Sequence, residues 1–333
     1  MRCSVALPLL RLLAPPLVPT SYKGQAGKVG VLGGCFEYTG APFYAALSAL
    51  KLGADLSHVF CDEQAAVPIK SYSPELIVHG CLRAGAVADD ATEAVTRQAD
   101  EVSKWFPALT ALVVGPGLGR DETLQAVAAL VVERAIAASL PCVLDADGIR
   151  LVLDNPSLVR GAEWVILTPN RPEYGRLVDA GLAAAAGSSV DGGSDGGGDD
   201  EGGRVAALAR GLAGPTVVRK GPTDIISDGT TFIECDEPGC LKRCGGQGDV
   251  LAGSIATFAG WARAAERAGR LPAPAAGAIS PQPTSPMLAA YAGCLLTRRF
   301  AKAAFAKHKR SMTAPDLIEQ IGDVFEEFSP AEA

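Results

Sequence analysis

A run of glycines meets a single acid in Cys244–Gly253, CGGQGDVLAG, and the chain then turns apolar. Gly245, Gly246 and Gly248 let successive backbone N–H groups point into one concavity, and a helix starting there adds partial positive charge. Such a cradle binds phosphate or another developing anion. Asp249 then falls in the first turn of the helix that continues as VLAGSIATFAGWARAA. One role for it is structural, since an N-terminal acid stabilises a helix by less than about 1 kcal/mol. The other is chemical: a carboxylate beside an anion hole can take the proton of a hydroxyl as that oxygen attacks phosphorus. A general base contributes about 10²–10⁴ in rate, and an anion-hole donor about 10²–10³. A helix cap alone does not need three glycines, so the chemical reading is favoured.

Polar residues recur at the ends of other apolar runs. LVV ends in Gly115, Pro116, Gly117 and Gly119, and CVL ends in Asp145 and Asp147. WVIL ends in Thr168, Pro169 and Asn170 with Glu173 a turn later, and TVVR ends in Lys220 and Gly221. In open α/β sheets the ligand crevice lies at these carboxyl ends. One such ending is an ordinary loop; four converging on one edge favour a site. Each has a plainer reading. Asn170 and Glu173 read equally as a helix N-terminus with an acidic first turn. Asp145 and Asp147 read as caps of the next helix before they read as catalysts, and Lys220 also reads as a solvated strand end. Familiar nucleotide motifs are missing: there is no GxxxxGK[ST], and GPGLG and GGCFEYTG miss the GxGxxG spacing.

The elements that must carry these residues alternate. Strand-like KVGVLGG, DLSHVFC, ELIVHG, ALVV, PCVL, WVIL and PTVVR are separated by helical stretches such as APFYAALSALKLG, Ala91 to Phe106 and Glu122 to Ala138. This spacing predicts βαβ units, hence an α/β fold with a mostly parallel sheet covered on both faces. The near-continuous apolar strands agree. Residues 187–203, GSSVDGGSDGGGDDEGG, have no apolar stretch to bury and are expected as a disordered surface loop. A Pro/Ala-rich loop is expected over 269–286.

The net charge of -7 argues against a nucleic-acid partner, and no apolar run reaches the ~18 residues of a membrane span. Met1 to Pro19 lacks acids, but Arg11 and four prolines interrupt any secretory core. Nine dispersed cysteines favour reduced thiols in an intracellular protein, with the cytoplasm as the expected compartment and a mitochondrion or plastid as the alternatives. Cys235, Cys240 and Cys244 lack metal-site spacing and have no histidine nearby in sequence; half-buried side chains are the preferred reading. The residues leave the oligomeric state open, a homo-oligomer included.

KGQAGKVGVLGG, EYTGAPFYAALSALKLGADLSHVFC, SPELIVHG, VVGPGLGRD, VLDADGIRLV, LTPNRPEYGRL, VRKGPTDIISDG and RCGGQGDVLAGSIATF follow one another in the order of a known family. The chain resembles the ATP-dependent NAD(P)H-hydrate dehydratases of the ribokinase-like superfamily. The resemblance runs from about Leu10 to near Phe325 and implies one three-layer α/β/α domain over 10–328, with 1–9 as an N-terminal extension. It implies that ATP phosphorylates the hydroxyl of hydrated NADH or NADPH, and that phosphate is then eliminated to restore the ring. By the same resemblance Asp249 is the catalytic aspartate and also meets the hydrate. Gly117 and the run Asn170, Arg171, Pro172, Glu173, Tyr174, Gly175 and Arg176 line the hydrate. Lys220, Gly221, Pro222, Thr223 and Asp224 bind ATP together with Gly239, Cys240, Leu241, Lys242, Arg243 and Cys244. Gly245, Gly246, Gln247 and Gly248 form the anion hole, and Glu173 is an outer-sphere partner of Mg²⁺. Two other hypotheses share the glycine turn: a ribokinase-like kinase of a vitamin-precursor alcohol, and a nucleotide-binding protein without turnover. Retention of Asp249 with the whole glycine loop speaks against the last.

Overall fold

A computed structural model describes residues 2–3, 5–85, 91–181, 198–271 and 282–330. In chain order the elements are β1 (Arg2–Cys3), α1 (Leu7–Arg11), β2 (Lys28–Leu32), α2 (Gly40–Leu52), β3 (Leu56–Asp62), α3 (Glu63–Tyr72), β4 (Ile77–Leu82) and α4 (Ala91–Ser103). There follow β5 (Ala111–Val114), α5 (Glu122–Ala137), β6 (Cys142–Leu144), α6 (Asp147–Asp154), β7 (Val165–Leu167), α7 (Arg171–Asp179) and α8 (Gly198–Leu212). The last are β8 (Thr216–Arg219), β9 (Asp224–Ser227), β10 (Phe232–Cys235), α9 (Gln247–Arg267), α10 (Ser285–His308), α11 (Ala314–Glu319) and α12 (Ile321–Phe328).

The strands form one sheet in the order β1-β10-β9-β8-β7-β6-β5-β2-β3-β4. Pairing is parallel except where β9 runs antiparallel to both β8 and β10. The strands obey the two-residue period of a sheet covered on both faces. Val31, Val113, Val143 and Ile166 pair in register across β2, β5, β6 and β7, and all four face one core with α2, α9 and α10. Their neighbours Leu32, Leu112, Val114, Leu144 and Leu167 face a second core beneath α4, α5, α6 and α8. This is the mostly parallel α/β sandwich expected from the alternation.

Three boundaries differ from the sequence reading. The stretch expected as an N-terminal extension contributes β1, which pairs with β10, because β10 otherwise presents an unpaired edge. Leu10 and Leu13 behind it are fully buried, and the Arg11 side chain donates to the Phe328 carbonyl. The Gly/Asp-rich segment also ends earlier: α8 opens at Gly198, while residues 187–197 of the expected loop lie outside the described residues. Glu201 pairs with Arg219, and a Cβ on Gly202 would collide with the Phe232 ring, so these residues serve close packing. Most of the Pro/Ala-rich loop, 272–281, lies outside the described residues, and α10 has already begun at Ser285. Among the described residues no helix is long and apolar enough to cross a membrane.

Candidate active site

The glycine turn is the N-terminus of α9, a 21-residue helix whose N-cap is Gly246 at φ +90° with no side-chain cap. The first amides of such a helix have no partner within it, so an uncapped end is left to accept an outside anion. Gly246 is required sterically: a Cβ there would lie 2.5 Å from Ala314 Cβ and 2.9 Å from Tyr44 Cδ2. Gly245 instead borders open space. Farther along, a Cβ on Gly253 would overlap the Ala45 carbonyl, so α9 and α2 pack with backbones nearly touching. The turn is thereby fixed against α2 on one side and open on the other.

Asp249, one turn in, stands in the field of two other charged groups. Its carboxyl is pushed up to about 7, by burial first and by the Asp145 charge second, with Lys220 pulling the other way. Asp145 is 3% exposed at the end of β6, and its Oδ1 accepts from Lys220 Nζ at 2.7 Å and from Thr168 Oγ1 at 2.7 Å. Its Oδ2 faces the glycine turn: a Cβ on Gly248 would sit 3.6 Å from Asp145 Oδ2 and 3.7 Å from Lys220 Nζ. Burial opposes the Lys220 charge, but Asp145, Glu173 and Asp249 outweigh it and raise the ammonium above its ordinary value. A carboxylate that titrates near neutrality, beside a fixed cation and a donor cradle, is equipped for proton transfer during phosphoryl chemistry.

The expected capping role of Asp145 and Asp147 is not what the structure shows. The N-cap of α6 is Ala146, and no side chain caps that helix. Asp147 accepts instead from the Gly119 amide at 2.9 Å, tying two loops of the sheet edge together. Ala146 sits at φ +49°, a sparsely populated conformation for a residue with a Cβ, which costs on the order of 1–3 kcal/mol. That outlier directly follows Asp145. Asp145 is thus the chief functional candidate that the sequence reading undervalued.

A cleft of about 1320 Å³ adjoins the turn over the ends of β7, β8 and β9. Its walls include Lys220, Gly221, Pro222, Thr223, Asp224, Gly239, Cys240, Arg243, Cys244, Gln247 and Gly248, all expected for a nucleotide, and Asn170, Arg171 and Tyr174 from α7. Six lining residues are Lys or Arg and two are acids, which suits a polyanion despite the negative net charge. Leu241, at 90% exposure, points to solvent outside the cleft, and Lys242 contributes its carbonyl, which accepts from Cys240 Sγ and Gln247 Nε2. Pro172, Gly175 and Arg176 do not line it. Gly117 lies farther along the sheet edge, at φ +63°, where a Cβ would come 2.6 Å from the Tyr38 carbonyl. Asn170 and Glu173 form a capping box for α7, with Glu173 Oε2 accepting from the Asn170 amide at 2.8 Å. Burial raises the Glu173 carboxyl, and Lys220 and Asp145 both act on it. Asp145 and Glu173 therefore offer hard carboxylate oxygens around one ammonium, a donor set that fits Mg²⁺ retaining several waters.

Sequence reading gave no sign of Arg298, on α10. Its Nε donates to Asp224 Oδ2 at 2.7 Å, its Nη1 to the Pro222 carbonyl at 2.8 Å, and its Nη2 to the Gly221 carbonyl at 2.8 Å. One guanidinium thus holds the whole 221–224 loop.

Comparison with known proteins follows the same lines. The family model described as NAD(P)H-hydrate dehydratase matches residues 29–323. An ATP-dependent (S)-NAD(P)H-hydrate dehydratase of Bos taurus is 45% identical over 323 residues, covering 96% of this chain and 88% of the relative. Among solved structures, a ribokinase-like superfamily protein of Enterococcus faecalis superposes with TM-score 0.69 at 19% identity, covering 98% of this chain and 96% of the other. An ADP/ATP-dependent NAD(P)H-hydrate dehydratase of Bacillus subtilis, co-crystallised with ATP/Mg²⁺, gives TM-score 0.65 at 20% identity, covering 97% and 98%.

Proposed function

The chain belongs to the NAD(P)H-hydrate dehydratase family, and on that premise we propose how its crevice carries the reaction. The activity is ATP-dependent dehydration of hydrated NADH and NADPH, a lyase reaction that returns a spoiled cofactor to use. Hydroxide is a poor leaving group and phosphate a good one, so the ring hydroxyl is phosphorylated first. ATP lies in the cleft with its terminal phosphoryl group at the amides of Gly245, Gly246, Gln247 and Gly248. Asp249 takes the hydroxyl proton as that oxygen bonds to phosphorus, and the bond to the leaving ADP oxygen breaks. Phosphate then departs from the ring carbon, a proton leaves the neighbouring carbon, and the double bond is restored.

Lys220 is held over the turn by Asp145 and neutralises charge gathering on the transferred group. Thr168 fixes Asp145 through its hydroxyl, so the ammonium has one direction to point. Mg²⁺, when bound with ATP, neutralises the phosphates and orients them. Glu173 and Asp145 are the residues that would hold it through its water shell, and Asn170 to Arg176 with Gly117 are assigned to the hydrate. We also assign the protein to the cytoplasm, which imaging of a tagged full-length chain would test.

The observation that carries this reading is the placement of Asp249. It stands in the first turn of a glycine-capped helix, its carboxyl raised to about 7 beside a lysine–aspartate pair. The test is incubation with hydrated NADH and ATP while the absorbance band of reduced nicotinamide is followed. Recovery of the band with one ADP and one phosphate per ring supports it. Absence of recovery, together with phosphorylation of a hydroxymethylpyrimidine or thiazole alcohol, would instead make the protein a vitamin-precursor kinase.

A further inference from the structure

Phosphoryl transfer needs the attacking and leaving oxygens roughly in line through phosphorus. That requirement gives the sheet edge two sides. The cleft lies over β7, β8 and β9, and Asp145 and the glycine turn lie near its middle, by β6. With ADP leaving into the cleft, in-line attack leaves room for the rest of the dinucleotide on the side of Gly117, one of the residues assigned to the hydrate, which follows β5. What that side presents is aromatic. Phe36 and Tyr38, on the loop after β2, are 70% and 58% exposed, and Tyr72 at the end of α3 is 47% exposed. A chain of contacts links Tyr72 to the turn: Tyr44 packs on Gly246, Phe43 lies 5.7 Å from Tyr44, and Tyr72 lies 5.2 Å from Phe43, edge-on, while Tyr38 packs against Gly117, where an added Cβ would lie 2.9 Å from Tyr38 Cβ.

This surface is braced. Thr39 Oγ1 and Tyr72 OH share a hydrogen bond of 2.7 Å, the Tyr38 amide donates to the Cys35 carbonyl at 3.2 Å, and the Gly34 amide donates to the Gly117 carbonyl at 3.1 Å. Exposed aromatic rings carried on a braced loop backbone offer a stacking face whose loop loses little entropy on binding. The occupant follows from the substrate's chemistry. The hydrated nicotinamide has lost its flat conjugated ring and must sit at Asp249, whereas the adenine at the other end of the dinucleotide remains flat and stacks well. We propose that Phe36 and Tyr38 form a platform for the adenine of the dinucleotide hydrate, distinct from the cleft that holds ATP. The proposal rests on the hydrate-repair function.

The test compares kcat/KM for hydrated NADH with kcat/KM for the hydrate of reduced nicotinamide mononucleotide, which lacks the adenylate. Stacking of one base is worth about 1–3 kcal/mol, roughly 5- to 150-fold. Phe36→Ala and Tyr38→Ala are expected to lower the dinucleotide-to-mononucleotide ratio by at least about 5-fold, and Phe36→Trp to preserve it. Equal losses on both substrates, or no loss on either, would overturn the platform while leaving the function standing. So would a wild-type oligomer that the alanine variants convert to monomer without changing the ratio, since the patch would then be a contact between copies. A wild-type chain inactive on both hydrates would overturn the function and the platform with it.

Discussion

Asp249 holds its proton to about 7 because burial penalises its charge and Asp145 adds a second negative field. A base must be deprotonated to act, so kcat/KM for the hydrate is expected to rise with pH through that region. Asp145→Asn removes the negative neighbour and so lowers the Asp249 value. Its rising limb is expected at lower pH than in the wild type, with a reduced plateau because Lys220 loses its anchor. A pH–rate profile of both proteins checks this; a limb that moves upward contradicts it. The glycines separate into two kinds. Gly246→Ala forces a Cβ onto Ala314 and Tyr44 at a left-handed φ, and is expected to destabilise the fold by at least about 1–3 kcal/mol, read as a lowered Tm. Gly248→Ala has ordinary van der Waals room and should fold normally, yet its methyl points at the Asp145–Lys220 pair, on the face of the turn proposed to take the phosphoryl group. Turnover is expected to drop about 10-fold or more at unchanged Tm, on the scale of one lost anion-hole donor. At this scale the glycine turn was legible because few roles demand three glycines and an acid together. Asp145 was not. Its letters are those of a cap, and its role is set by Thr168 and Lys220, 23 and 75 residues away.

Among elements, α10 has the least visible part in the site. Arg298 satisfies Asp224 and two backbone carbonyls of the 221–224 loop at once, and no motif marks an arginine in a long, mostly buried helix. Arg298→Ala is expected to raise the KM for ATP about 10-fold or more while kcat at saturating ATP changes little, since the loop loses its brace and Asp224 its partner. Arg298→Lys should recover only part of this, because one ammonium cannot span three acceptors. An effect on kcat alone would assign Arg298 elsewhere. On the far edge, β3 and β4 bring His58 Nδ1 within 3.0 Å of His79 Nε2, with rings stacked. One proton serves that contact, and burial holds His58 down at about 4. The unfolded chain takes up that proton near 6.5, so stability is present above about 6.5 and falls as pH drops toward 4. His58→Phe is expected to flatten the loss across this window in denaturant titrations; an unchanged pH dependence contradicts it. Strand alternation made β2 to β8 readable, since every one of them but the edge strand β4 is buried along nearly its whole length. The β9–β10 hairpin and the start of α8 were hidden by Gly, Asp and Ser, residues that usually signal loops but here allow contacts such as Gly202 on Phe232.

Across the whole molecule, one sheet edge presents two different surfaces about the N-terminus of α9. A cation-lined cleft faces β7 to β9, and an aromatic face lies beyond β2 and β3. The net charge of -7 shows nothing of that local positive field, because Lys220, Arg219 and Arg298 are gathered from β8, its end and α10, far apart in the chain. The most direct measurement is a single turnover of Asp249→Asn with hydrated NADH and ATP, alongside ATP affinity by calorimetry. ATP affinity is expected to stay within about 3-fold of wild type while recovery of reduced nicotinamide slows at least about 100-fold. Recovery at the wild-type rate would remove Asp249 from the chemistry and contradict the account.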